Sequence, residues 1–238
     1  MGQLFDVSYM IRSFPVLLAS LPITLIITAV ATACGFIIGI FVALVRVRRI
    51  PILRQLAVVY VSFMRGTPFL VQLFLVYFGL PELLMHLGVN VRNIPGLTYV
   101  FLVFSLYVGA YSGEIIRSAI GAVSPGEREA ALSLGMTTWQ VYSRVVLPQA
   151  FRLAVPPLVN TIIGTVKGTS LIFNVGVIDI MRRADLMGGN SQRNLELYVD
   201  VAIIYGILIV LISLLGRLWE RHYRIDNDRL DNRAATDV

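Results

Sequence analysis

Eight polar side chains in this sequence have the chemistry to recognise a charged solute: Arg65, Thr67, Gln72, Glu114, Arg117, Lys167, Thr169 and Ser170. All lie within or beside long apolar stretches. There an ionisable group costs at least about 2.5–3.5 kcal/mol on insertion scales and needs a polar cavity or a partner. Lys167, the only lysine, is surrounded by Gly164, Gly168, Thr169 and Ser170, which lower helix propensity and supply hydroxyls. That pattern favours a loosened helix along a solute pathway, against the plainer reading of a structural ion pair or a lysine reaching for an interface. Arg65-Gly66-Thr67-Pro68 is a second interruption, because Pro68 removes a backbone donor and kinks or restarts its helix. Arg65 either lines the pathway or anchors one end of its span. Glu114 and Arg117, three apart on one helix face, suit a local ion pair as well as a solute contact. Gln72, Tyr107 and Tyr111 add polar tips to apolar faces, although tyrosines are ordinary interface anchors.

This inventory points to recognition, not catalysis. No Walker A sequence is present, so ATP is not bound in the P-loop manner. His86 and His222 are far apart and lack metal-ligand spacing, and no nucleophile stands beside a base. Neither a catalytic residue, a metal nor a cofactor of this chain's own is expected. Cys34, the single cysteine, has no internal disulfide partner and reads as a small buried core residue.

The elements that hold these groups are membrane spans. Hydrophobic residues make up 57% of the 238 and charged residues 14%, against about a quarter charged in soluble domains. The start, with Arg12 before an apolar run, has the look of a signal peptide. The run continues to Val45, too long for a signal core, and is expected to be a retained first span. Five spans are expected near 15–45, 55–80, 97–120, 153–175 and 198–216. Arg46, Arg48, Arg49 and Arg54, then Arg117, Arg128, Arg144 and Arg152, then Arg217, Arg221, Arg224, Arg229 and Arg233 fall on one side. Only Arg12, Arg92, Arg182, Arg183 and Arg193 fall on the other, which predicts an outside N-terminus and a cytoplasmic C-terminus. The Arg182-Arg183 pair runs against that rule. A formal charge of +6 therefore reflects membrane orientation and not a nucleic-acid partner. Residues 1–220 read as one transmembrane domain, and 221–238 as a polar cytoplasmic tail.

Between spans three and four, Ser124-Pro125-Gly126-Glu127 has the form of a capping box, predicting a helix from about Pro125 to Leu134 that Gly135 ends in the left-handed region. Thr137 with Gln140 repeats the box for a second helix, which carries Trp139, Tyr142, Val145 and Val146 and which Pro148 is expected to stop. The result is a compact helix–turn–helix. Wedged between spans, it cannot present a helix to a DNA groove. It is either a well-capped connector or a docking element.

Glu129-Ala130-Ala131, then Gly135 after three intervening residues, then Val145, Leu147 and Pro148 resemble the EAA signature of ABC importer permeases, with Val145 replacing the usual isoleucine. Arg65-Gly66-Thr67-Pro68, Ala110-Tyr111-Ser112-Gly113-Glu114 with Arg117, and Val166-Lys167-Gly168-Thr169-Ser170-Leu171 are similar to the polar amino-acid uptake branch of that family. The likeness covers about 15–220. It implies an all-α type I importer permease whose connector, 124–148, is the coupling element, with Glu129, Ala130, Ala131, Gly135, Met136, Leu147 and Pro148 at the contact. The implied partners are two ABC ATPase subunits holding ATP and Mg, a second permease copy or sister chain, an external amino-acid-binding protein and an amino-acid substrate, in a prokaryotic cytoplasmic membrane. Many members carry aspartate where Gly168 stands. Its absence weakens the case for a cationic substrate and leaves zwitterions, dicarboxylic amino acids and cystine open. The rival readings are an ATPase-independent carrier or channel using Lys167 and Glu114, and a membrane enzyme or its anchor.

Overall fold

A computed structural model describes residues 5–223, and all secondary structure among them is helical. Five stretches are long and apolar enough to cross a membrane: Leu21–Val47, Phe69–His86, Gly96–Ala122, Thr138–Val175 and Asn194–Trp219. The protein is a multi-pass membrane protein. The expected tail at 221–238 lies outside the described residues from 224 onward; before that, its first residues continue the last helix.

The expected first span divides in two. Helix α1 (Val7–Leu18) ends at Ala19, and α2 (Leu21–Val47) begins afresh with Pro22 in its first turn. Proline tolerates that position because its missing donor would be unpaired there anyway. Polar contacts hold α1 against the last helix, α11 (Asn194–Tyr223). Ser13 Oγ donates to Asp200 Oδ2 at 2.6 Å, and the Asp6 backbone N–H donates to Glu196 Oε1 at 2.9 Å.

Helix α2 packs along the third crossing, which is α6 (Gly96–Ala122) once the second crossing is numbered as below. Small residues set the close approach. A Cβ added at Gly35 would stand 2.5 Å from Val108 Cβ, and one at Gly39 would collide with Ser112. Apolar surface gains little from association in lipid, so such backbone proximity supplies the packing energy. Ser112 Oγ donates to Val108 O at 2.7 Å and reaches Gly35 O at 3.3 Å. The buried stripe of α2 runs through Thr28, Ala31, Gly35, Gly39 and Val42. Cys34 falls outside it and is exposed, contrary to the expected core position.

The helix expected to run through 55–80 breaks at Pro68 as the sequence predicts, but the apolar stretch long enough to cross, Phe69–His86, begins only after the break, so the interruption stands at its start and not within it. Helix α3 (Pro51–Gly66) stops at extended Thr67 and Pro68, followed by α4 (Phe69–Phe74), a π-helical turn (Leu75–Gly79) and α5 (Leu80–His86). The connector holds α7 (Pro125–Ser133) and α8 (Thr138–Val141), and a π-helical turn (Tyr142–Val146) leads into α9 (Leu147–Thr169). Pro148 therefore does not stop its helix. The ring would clash with the carbonyl four residues back, and that residue, Arg144, lies in the widened turn. Pro81 follows the other π turn in the same way. After α9 a 3-10 segment (Ser170–Val175) and left-handed Gly176 lead to α10 (Ile180–Ser191) and α11.

Candidate functional site: connector and mid-span breaks

Ala131, Val141, Val146, Ala150 and Ala154 pack the connector onto Ala119, Ile120 and Val123 at the end of α6, with Met136 against the same cluster. Ala131 is thus small because it faces the protein's own interior. Gly135 adopts φ +81, a conformation that Cβ-bearing residues resist, and its N–H closes the turn on Leu132 O at 2.9 Å. The Thr137–Gln140 box forms in full: the Thr137 N–H donates to Gln140 Oε1 at 2.8 Å, and the Gln140 N–H donates to Thr137 Oγ1. The Ser124–Glu127 box does not. Ser124 makes no side-chain cap, and the Glu127 carboxylate, instead of closing the box, accepts a hydrogen bond from Gln149 and ties α7 to α9. Arg128, counted in the sequence only as an orientation charge, donates to Ile120 O and lies over the Tyr142 ring at 5.9 Å.

With its underside so fixed, the connector turns several apolar groups outward. Leu134 is 83% exposed and Trp139 74%, on either side of Gly135. Glu129, Ala130, Leu147 and Pro148 are exposed with them.

The break at Thr67–Pro68 leaves carbonyls without helical partners, and Gln72 satisfies them. Its Nε2 donates to Met64 O at 2.8 Å, Thr67 O at 3.0 Å and Thr67 Oγ1 at 2.8 Å, and the residue is only 2% exposed. Thr67 Oγ1 itself donates to Phe63 O. Both side chains cap the interruption. Thr169 is also internal: its Oγ1 donates to Val166 O at 2.7 Å and lies 3.2 Å from the Tyr205 hydroxyl, which donates to Asp179 at 3.3 Å.

Glu114 joins Arg117 as the spacing allows, and also Arg46 at the end of α2, whose partnership the sequence left unforeseen. One carboxylate thus ties two crossings together. A crevice of about 370 Å³ opens beside it, lined by Arg65, Tyr111, Glu114, Ser118, Leu153 and Pro157. Arg65 lies over the Tyr111 ring at 5.6 Å. Lys167 is exposed in the last turn of α9, and its ammonium has no partner among the described residues. Ser170 Oγ donates to the Lys167 carbonyl.

Sequence reasoning passed over three buried acids, Glu196, Asp200 and Asp179. Asp200 falls inside the fifth expected span, where any ionisable residue is a signal in itself. Asp179 caps α10, accepting from the Arg182 N–H at 2.8 Å, and an aspartate preceding a helix could have been read as such. Burial pushes the Asp179 carboxyl up to about 6, opposed by the Arg182 and Met181 N–H groups and by Tyr205.

Comparison with known proteins agrees with this architecture. Residues 35–225 match the family model described as binding-protein-dependent transport system inner membrane component. The probable amino-acid permease protein YxeN of Bacillus subtilis (strain 168) is 42% identical over 216 residues, covering 91% of this chain and 95% of that one. The L-cystine transport system permease protein TcyL of the same organism is 37% identical over 230 residues, 97% of this chain and 96% of its own. A chain in the crystal structure of an amino acid ABC transporter with histidines superimposes with a TM-score of 0.83 at 35% identity, covering 92% of this chain and 100% of that one.

Proposed function

We propose, from the premise that this chain belongs to the family of binding-protein-dependent inner membrane components and within it to the amino-acid ABC permeases, that it is the membrane-spanning half of an ATP-driven amino-acid importer coupled through its 124–148 connector. Residues 1–220 act as one type I permease domain, with the N-terminus outside and the tail and connector in the cytoplasm of a prokaryotic cell. Two ATPase subunits, carrying ATP and Mg, dock on the connectors of two permeases, a copy or a sister chain completing the pair. An external binding protein delivers the amino acid. This chain supplies the path and no chemistry of its own.

The observation that carries the reading is the connector's outward face. Leu134 and Trp139 expose large apolar surfaces on a helix pair whose other side is locked to α6 and α9. Exposed apolar surface of this kind marks an interaction site. Gly135 between them keeps the turn tight and free of a side chain that would hold a partner away. ATP-driven closure of two docked ATPases would move the connectors as rigid bodies, and Arg128, Gln149 and the apolar cluster would pass that movement to α6 and α9. The L-cystine assignment of TcyL makes a sulfur-bridged amino acid a reasonable first substrate to try.

The test is the intact mass of the complex extracted from its native membrane in mild detergent. A particle holding two ATPase subunits with two permeases is expected. A chain that emerges reproducibly without an ATPase would favour the self-sufficient carrier or channel instead.

A further inference from the structure

A hollow of about 500 Å³ opens between α2, α6, α9 and α11. Ile40 and Leu44 of α2 form one wall and Leu147, Phe151 and Ile162 of α9 another. Trp219 of α11 closes it across Phe151, the two rings edge to face with centroids 5.9 Å apart. Every lining residue is apolar, apart from the indole N–H of Trp219. This hollow and the crevice beside Glu114 use opposite faces of α6: Ile116 and Ile120 line the hollow, Tyr111, Ile115, Ser118 and Ala122 the crevice.

From Leu147 to Ile162 the hollow follows fifteen residues of α9, about 22 Å along the helix axis. That exceeds the hydrocarbon depth of one leaflet, about 15 Å. An apolar hollow gives water no partners, and the residues after 223, with seven charges in fifteen, are too polar to suit it. Its cytoplasmic mouth is basic. Arg48 continues the Ile40–Leu44 face one turn further along, and Arg144 lies in the π turn immediately before Leu147. Both side chains are exposed, and neither guanidinium has a partner among the described residues, unlike Arg46, which Glu114 holds.

We propose that this hollow seats one acyl chain of an anionic phospholipid from the cytoplasmic leaflet, with its phosphate held between Arg48 and Arg144. The inference rests on the importer reading above, which turns the mouth to the cytoplasm and, with the shared path at the crevice, leaves the hollow to lipid. Length and charge both select this occupant. The walls accept a chain one leaflet deep, and a guanidinium donates paired hydrogen bonds to phosphate oxygens. Basic pockets between spans on the cytoplasmic side suit such headgroups. Ile120, Ala150 and Ala154 belong both to the hollow and to the cluster beneath the connector, so the seated chain bears directly on the coupling element.

In the test, the complete complex is equilibrated in mixed micelles holding equal amounts of phosphatidylglycerol and phosphatidylcholine with the same acyl chains. The lipids it retains are then counted by native mass spectrometry. Wild type is expected to keep one phosphatidylglycerol per permease, preferred over phosphatidylcholine about tenfold or more. One arginine beside an anionic headgroup is worth about a fivefold change in occupancy, so Arg48→Gln and Arg144→Gln should each lower the preference by about that factor. Arg54→Gln removes an exposed cation from α3, which packs on the Val42–Val45 side of α2, and should change it less than about twofold. Ile40→Trp fills the hollow from an exposed position and should displace both lipids. Equal retention of the two lipids by wild type would overturn the proposal, as would equal losses from Arg54→Gln and the two rim substitutions, or undiminished phosphatidylglycerol in Ile40→Trp. A wild-type complex that keeps no lipid would also overturn it and assign the hollow to a protein neighbour. The same spectra report subunit content: a particle lacking the ATPase would overturn the importer reading, whatever lipid it carries.

Discussion

The connector and the mid-span breaks both collect polar residues in an oily chain, yet they dispose of them in opposite ways. Within and beside the spans, Thr67, the Gln72 amide N–H group and Thr169 turn inward and bond to backbone carbonyls, to one another or to Tyr205. In the connector the polar links run beneath, through Arg128 and Gln149, and apolar side chains are turned out. Membrane interiors explain the first pattern, since an unpaired carbonyl there costs several kcal/mol. The second is what the proposed docking of a partner requires. The comparison teaches that a polar residue inside a span is first to be tested as a cap, and is a contact for solute only when its own structure leaves it unpaired.

Five substitutions probe that contrast. Gly135→Leu should act most strongly, because it forces a Cβ into φ +81 and a side chain into the outward face at once. ATP-dependent uptake is expected to fall more than tenfold with membrane insertion unchanged, and normal uptake would detach the connector from coupling. Gln72→Leu should leave Met64 O, Thr67 O and Thr67 Oγ1 without their donor and cost about 3 kcal/mol. Its signature is a lower Tm in detergent without altered substrate preference; a shift in preference would return Gln72 to the solute track.

Asp179→Asn tests a buried acid by its pH dependence. The folded carboxyl, at about 6, lies above its ordinary 3.8. Its contribution to stability is therefore complete below 3.8 and lost as pH rises through about 6, a difference of about 3 kcal/mol over that whole range. Asparagine keeps the cap on the Arg182 N–H and removes the titration. Wild type should lose Tm relative to Asp179→Asn between pH 4.5 and 7.5, whereas parallel melting curves would show that the carboxyl is not shielded. These two pH values are about 1.5 units either side of the folded pKa. The smallest effects contrast the two expected capping boxes. Thr137→Ala should destabilise by about 1 kcal/mol and Ser124→Ala by less than about 0.5 kcal/mol, because only Thr137 makes the cap. Equal losses on thermal unfolding would mean that the Ser124 box forms after all.

Much of this was legible in the sequence. Long apolar runs gave five crossings, and Pro68 and Gly135 marked a real break and a real left-handed turn. What escaped depends on partners distant in the chain. Glu127 abandons its local box for Gln149, twenty-two residues on, and Arg46 reaches Glu114 across sixty-eight. Local rules weigh only neighbours, so they assigned Glu127 to a cap and Arg46 to topology. Pro148 misled for a different reason: a π turn, which has no residue signature, removes the clash that normally stops a helix. The division at Ala19–Ser20 was hidden inside one apolar run, where only Pro22 and the buried Ser13–Asp200 contact distinguish two helices from one.

The central claim is that the connector's exposed face is where an ATPase docks. A photo-crosslinking residue at position 134, the most exposed of the large apolar side chains there, tests it in native membranes without disturbing the packed underside. The account predicts a crosslinked product whose added mass and tryptic peptides identify an ATP-binding-cassette subunit, with yield that changes on addition of ATP. Crosslinks confined to lipid or to this chain itself, in membranes where uptake is active, would contradict it.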